Sequence, residues 1–167
     1  MMDTSFTIDQ YSSLSTYSKH SIVYELSGSE RIYYYSLVDN NLNNTPSSSP
    51  SYWTTSFYWT PNYSTTADIN QRKVEMSFGD GYTQRMRDGI NTNPLNFNLV
   101  FDNRSDAEAA AILHFIEQKG GVDNFVYNSP TIFNKTGLKY VAVDPTWSST
   151  SYNVNNVTVT LKRDYNP

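Results

Sequence analysis

The chain has 167 residues, a net charge of −4, a mean hydropathy of −0.58, 14 Tyr and no Cys. That length admits one domain or a small module plus one domain. The acidic balance argues against a nucleic-acid binder held by phosphate contacts, and the lack of Cys excludes disulfides and thiolate metal sites. A Tyr- and Asn-rich composition poor in Lys suggests β structure with extensive contact surface.

Most of the tyrosines precede residue 64, and residues 40–67 contain no Asp, Glu, Lys or Arg. Ser, Thr, Asn and Pro fill that stretch, but so do aromatics, in which disordered segments are poor. The composition therefore divides the chain into a small aromatic β module, residues 1–62, and a second domain, residues 68–167, with the connection at about 60–70. In the module, Ser21-Ile22-Val23-Tyr24 and residues 31–38 predict two strands, joined at Ser27-Gly28-Ser29. Tyr52-Trp53-Thr54 is the third strand. Three short strands make a marginal core, so stacked aromatics, and packing on the second domain, are needed to compensate. In Tyr33-Tyr34-Tyr35 alternation sends Tyr34 to one face and its neighbours to the other.

The second domain opens with Lys73-Val74-Glu75-Met76-Ser77-Phe78, a strand, then the turn Gly79-Asp80-Gly81. Gly tolerates φ > 0 and Asp bonds its own backbone, so the turn is tight, with Phe78 and Tyr82 flanking it and Gln84 and Arg85 beyond. In residues 95–101, Leu95, Phe97, Leu99 and Phe101 alternate with Asn96, Asn98 and Val100, giving one strongly apolar face. Ser105-Asp106-Ala107-Glu108 reads as a capping box, with Glu108 reaching back. Ala109, Ile112, Leu113 and Ile116 follow at helical spacing, and Gly120-Gly121 supplies a left-handed stop. The predicted helix is 105–119, with His114 and Phe115 off its main stripe and free to touch a partner. Strands follow at 124–127, 138–143 and 156–162. Strands, one helix and more strands make a mainly β, α+β domain, with the helix laid against an antiparallel sheet or partial barrel.

Catalytic and metal signals are weak. His20 and His114 lie far apart with no motif around either, and each reads as a solvated or core histidine. Asp80 with Asp88, and Asp102 with Asp106, are turn and cap residues before they are acid–base pairs. No nucleophile elbow is visible, and the glycine turn lacks the Lys-Ser or Lys-Thr of a phosphate loop. No cofactor or metal is expected. No run reaches membrane-span length and no charged-then-apolar leader opens the chain, so the expectation is synthesis and use from the cytoplasm.

One ordered set of elements carries a resemblance: Phe78-Gly79-Asp80-Gly81-Tyr82-Thr83-Gln84-Arg85, then Gly89-Ile90-Asn91, the apolar strand 95–101, the capped helix ending in Gly120-Gly121, and an aromatic strand from Phe125 running to Pro130. This order resembles the minor tail protein M family of lambda-like phages over about residues 70–164. The resemblance implies a fold related to tail-tube proteins, a β-sandwich or split barrel with one flanking helix. It also implies a structural virion protein, not an enzyme, that forms a hexameric ring at the distal end of the tail. Partners would be its own copies, the tail tube protein and baseplate or tail-tip hub proteins, with assembly in the host cytoplasm. Trp147 matches a family Trp before the last strand. On this reading Phe78, Asp80, Tyr82, Gln84, Arg85, Ile90 and Asn91 form a subunit interface, since aromatic anchors dominate interface energy. Neither sequence-specific nucleic-acid binding nor membrane insertion is expected.

The first module is similar to small chitin-binding-like modules, through Tyr17, Tyr24, Tyr33-Tyr34-Tyr35, Asp39-Asn40-Asn41, Pro46, Pro50 and Tyr52-Trp53. It departs from them at Lys19-His20. The similarity implies an alternative function, a carbohydrate-binding adhesin contacting host-surface glycan. Tyr34, Trp53 and Trp59 would be the sugar or partner contacts. Outward, clustered rings would favour glycan; inward rings would favour a structural role.

Overall fold

A computed structural model of the chain describes residues 8–166. It is mainly β with one helix and a sheet curled into a half-barrel, as the sequence pattern and the resemblance lead one to expect. In chain order the elements are β1 (Asp9–Gln10), β2 (Thr16–Tyr17), β3 (Ile22–Ser27), β4 (Glu30–Ser36), β5 (Asn41–Leu42), β6 (Trp53–Thr54), β7 (Thr66–Ile69), β8 (Lys73–Ser77), β9 (Thr83–Arg87), β10 (Leu95–Arg104), α1 (Asp106–Lys119), β11 (Phe125–Tyr127), β12 (Leu138–Ser151) and β13 (Val154–Arg163).

Two compact units emerge, and they do not split the chain at one point. The first contains the described residues up to Trp59 together with Asn103–Gln118 and Ser148–Asn156; the second contains Thr60–Asp102, Lys119–Trp147 and Val157 onward. Most of the helix thus clusters with the N-terminal strands.

In the first unit the expected strands are β3, β4 and β6, and β1 adds a fourth, parallel to β3, in the order β1-β3-β4-β6. β1 is two exposed residues long, too short to show any alternation. Gly28, at φ +66, makes the β3–β4 turn, where Ser27 faces Glu30. One face of this small sheet carries Val23 opposite Tyr34 and Ser36 opposite Trp53. The other carries Tyr33 and Tyr35, which meet α1: Tyr33 lies 4.7 Å from the His114 ring and Tyr35 lies 6.0 Å from Phe115.

The helix begins as predicted at Ser105, whose Oγ accepts the Glu108 N–H at 3.3 Å. The box is not closed by Glu108, because its carboxylate accepts from Arg104 at 2.9 Å instead. The β12–β13 turn completes the cap: Asn153 Oδ1 accepts the Asp106 N–H at 2.7 Å, and Asn155 donates to the Asp106 carboxylate at 2.6 Å. Gly120 and Gly121, at φ 56 and 70, end the helix. Its buried residues are Ala109, Ala111, Ile112, His114, Phe115 and Ile116. His114, read as a solvated or core histidine, is a core residue, and Phe115, off the main stripe and free to touch a partner, is buried as well, both under the N-terminal aromatics of the same chain.

The second unit holds the sheet ordered β11-β12-β13-β10-β7. Leu95, Phe97, Leu99 and Phe101 of β10 and Val157, Val159 and Leu161 of β13 are all buried, the period-two faces the sequence predicts. Phe97 centres a ring cluster with Tyr127 at 5.4 Å, Phe133 at 5.5 Å and Tyr140 at 5.7 Å. β12 runs well past the expected end at Val143. β11 pairs only with Leu138, Lys139 and Tyr140. Beyond them β12 carries no β11 pairing. β7, read in the sequence as connection, pairs with β10 at the sheet edge with Leu95 opposite Ile69. All four of its residues are exposed, so it shows no buried face to betray it.

Candidate functional site

β8 and β9 form a two-stranded arm of their own, in register from Lys73–Arg87 to Ser77–Thr83. The tip is a 3-10 turn, Gly79–Gly81, in which Asp80 takes φ 67 and Gly81 φ 79. Phe78 N–H donates to the Tyr82 carbonyl at 2.8 Å, and the two rings stand 5.9 Å apart. Directly paired residues share a face of a ribbon and successive residues alternate. Val74 opposite Met86, Met76 opposite Gln84, and Phe78 with Tyr82 therefore line one face. Lys73, Glu75, Ser77, Thr83, Arg85 and Arg87 line the other.

The two faces differ in chemistry. On the charged face Glu75 is held by Lys73 and by Arg85, each at 3.1 Å. These cations, Lys73 first, keep its carboxyl below the usual carboxylate range. The apolar face has no such satisfaction: Val74, Met76, Phe78, Tyr82 and Met86 are all exposed, Tyr82 at 67%. Five large side chains about half exposed, at ~200 Å² apiece, leave on the order of 500 Å² of apolar surface. Contiguous patches above a few hundred Å² mark interaction sites on soluble proteins.

The arm is joined to the β7–β10 ladder through Arg72. Its N–H donates to the Thr92 carbonyl at 2.7 Å and its carbonyl accepts the Asp88 N–H at 3.3 Å. Its guanidinium also holds the Asp88 carboxylate at 3.1 Å. One residue thus clamps both ends of the short loop after β9. Gly89 supplies the positive φ of 80 that the loop needs, and Ile90 stands at its crest, 98% exposed.

The sequence-predicted interface residues are therefore sorted by the structure. Phe78, Tyr82 and Gln84 share the apolar face; Asp80 turns the tip; Arg85 points to the opposite face, bound to Glu75; Ile90 and Asn91 belong to the clamped loop. Sequence reasoning did not single out Val74, Met76 and Met86. Their period-two spacing with Phe78 and Tyr82 was the available signal. Trp147 lies within β12 and is exposed.

The residues considered for sugar contact are placed differently. Trp53 and Trp59 are 2% and 3% exposed. Trp53 is enclosed by Tyr11 at 6.1 Å and Tyr17 at 5.3 Å, and its Nε1–H donates to the Asn44 carbonyl at 2.8 Å. Trp59 lies 5.2 Å from Tyr35 and 5.7 Å from Phe115. Neither ring presents a face to a sugar. Tyr34 is half-buried opposite Val23.

Among the described residues no group of His, Asp and Glu is placed to hold a metal ion, and no helix is long and apolar enough to cross a membrane. No curated protein matches the chain. The family model for phage minor tail proteins matches residues 55–165, from the Phe57–Trp59 aromatics through the arm, the helix and the last strand. That is well over half the sequence, and the chain belongs to the phage minor tail protein family, structural components of the virion tail that work in contact with other tail proteins.

Proposed function

We propose that this tail protein forms a closed ring at the distal end of the tail, joining the tail tube to the baseplate or tip, and that the β8–β9 arm seats its apolar face on a neighbouring copy. The observation that carries the reading is that face: an ordered ribbon with Val74, Met76, Phe78, Tyr82 and Met86 uncovered. A two-stranded hairpin alone is marginal in water, so an arm of this kind gains its stability when something covers it. Closed rings use heterologous contacts, one patch meeting a different patch on the next subunit, and a projecting arm suits that geometry. Gln84, Ile90 and Asn91 would lie at the margin of the contact. The count of six copies rests on the resemblance to the lambda-like family.

Mass photometry of the purified full-length chain across micromolar concentrations tests this, alongside Met76→Asp. The expected result is a species of six times the 19.1 kDa protomer that Met76→Asp dissolves into folded monomers. A wild-type chain that stays monomeric, and a Met76→Asp chain that still enters phage tails normally, would together overturn it. The glycan reading has no comparable observation behind it, because two of its three rings are enclosed.

A further inference from the structure

We infer that His114 is the trigger of an acid-released latch that holds the N-terminal strands against α1. Both histidines of the chain lie in this one place, each on a tyrosine hydroxyl. His114 Nδ1 is 2.9 Å from the Tyr35 hydroxyl, and His20 Nδ1 is 2.8 Å from the Tyr58 hydroxyl. Tyr33 and Tyr35 come from β4, Tyr58 and Trp59 from the segment after β6, and His114, Phe115 and Glu108 from α1. The latch therefore ties parts of the sequence that are far apart through aromatic and imidazole groups.

Burial depresses the titration of both histidines, and of His114 the more strongly. His20 Nε2 lies 3.9 Å from the Glu108 carboxylate. Burial depresses its titration, Glu108 and Asp39 oppose that, and Lys19 and Arg104 reinforce it. Glu108 offsets only part of that burial, so acid weakens the His20 contact too, though less than at a histidine with no carboxylate beside it. His114 is 2% exposed between the rings of Tyr33 and Tyr35, and burial pushes its titration down from 6.5 to about 4. A proton from solvent is taken up far more readily once the contact has opened. Opening should then become up to tenfold more favourable for each pH unit below 6.5 until about pH 4. The opened state bares Tyr35, Trp59 and Phe115, an aromatic surface hidden at neutral pH. This inference is independent of the ring reading.

Hydrogen–deuterium exchange of the full-length chain at pH 6.5 and 4.5, corrected for intrinsic rates, tests it. Peptides over residues 31–36 and 111–116 should lose protection by up to about 100-fold, while the peptide over 157–161 keeps its own. Equal loss in all three, or none in the first two, overturns the latch. His114→Gln should remove most of the pH response, and a response of wild-type size in a folded variant also overturns it. Should that variant fail to fold, imidazole carbon shifts of the wild-type chain decide instead. One histidine must titrate far below 6.5 in the folded protein, and two ordinary values refute the proposal.

Discussion

Phe115 and Phe78 are the same residue in opposite circumstances. Phe115 lies among Tyr35, Phe57 and Trp59, 2% exposed. Phe78 stands on the arm beside Tyr82 with half its surface in water. Phe115 lies in α1, and Phe78, between β8 and the tip turn, has its N–H bonded to the Tyr82 carbonyl, so local hydrogen bonding does not tell them apart. What differs is whether this chain supplies the cover. Around α1 it does, with residues drawn from the N-terminal strands; at the arm no described residue does.

The sharpest way to break that comparison is to truncate both rings. Phe115→Ala should cost about 3–5 kcal/mol, as large-to-small changes in a filled core do. Phe78→Ala in the unassembled chain should cost no more than ~0.5 kcal/mol, the range of surface positions. Urea unfolding followed by far-UV circular dichroism measures both. Similar costs at the two sites would mean that the arm is already covered.

Acid acts on the region around α1. His114 titrates at about 4 in the fold against 6.5 when exposed, so between those values the unfolded chain binds more protons. Its contribution to stability is complete above pH 6.5, falls as the pH drops and is spent below about 4, a change of about 3 kcal/mol. Unfolding midpoints measured from pH 7 to pH 4 should decline accordingly, and His114→Gln should flatten the decline. Removing the hydroxyl instead, in Tyr35→Phe, leaves a buried imidazole nitrogen short of its partner and should cost about 1–3 kcal/mol at neutral pH.

Much of this was legible in the residues. Leu95, Phe97, Leu99 and Phe101 alternate without interruption, and strict alternation has one physical meaning, a strand with one buried face. Ser105 and Gly120-Gly121 bracket the helix for reasons confined to its own termini. What sequence reading missed depends on distant neighbours. Phe115 lies off the apolar stripe, and nothing local says that a second aromatic layer covers it. β7 has no buried face, so only its pairing with β10 makes it a strand. The arm was noticed for its glycine turn, while Val74, Met76 and Met86 went unremarked, because an exposed apolar face has the same pattern as a buried one. Trp53 and Trp59 show the converse: a tryptophan in a polar, uncharged stretch suggests a surface anchor, and here Tyr11, Tyr17 and Tyr35 have enclosed it.

A smaller effect separates local from distant support for the helix. Ser105→Ala removes the acceptor for the Glu108 N–H and by itself should cost about 1 kcal/mol. The Asp106 N–H, however, is bonded to Asn153, which belongs to the β12–β13 turn, so a donor at the same terminus keeps a partner when the serine is gone. The measured loss should therefore fall at the low end of the capping range, and Asn153→Ala should make a subsequent Ser105→Ala more costly than it is alone. A double-mutant cycle in urea reads this coupling directly. Strict additivity would mean that the serine and the asparagine serve their two N–H groups independently. A positive coupling would mean that the helix start is held as one unit by its own N-cap and by a turn far along the chain, the same reliance on distant residues that fixes its aromatic face.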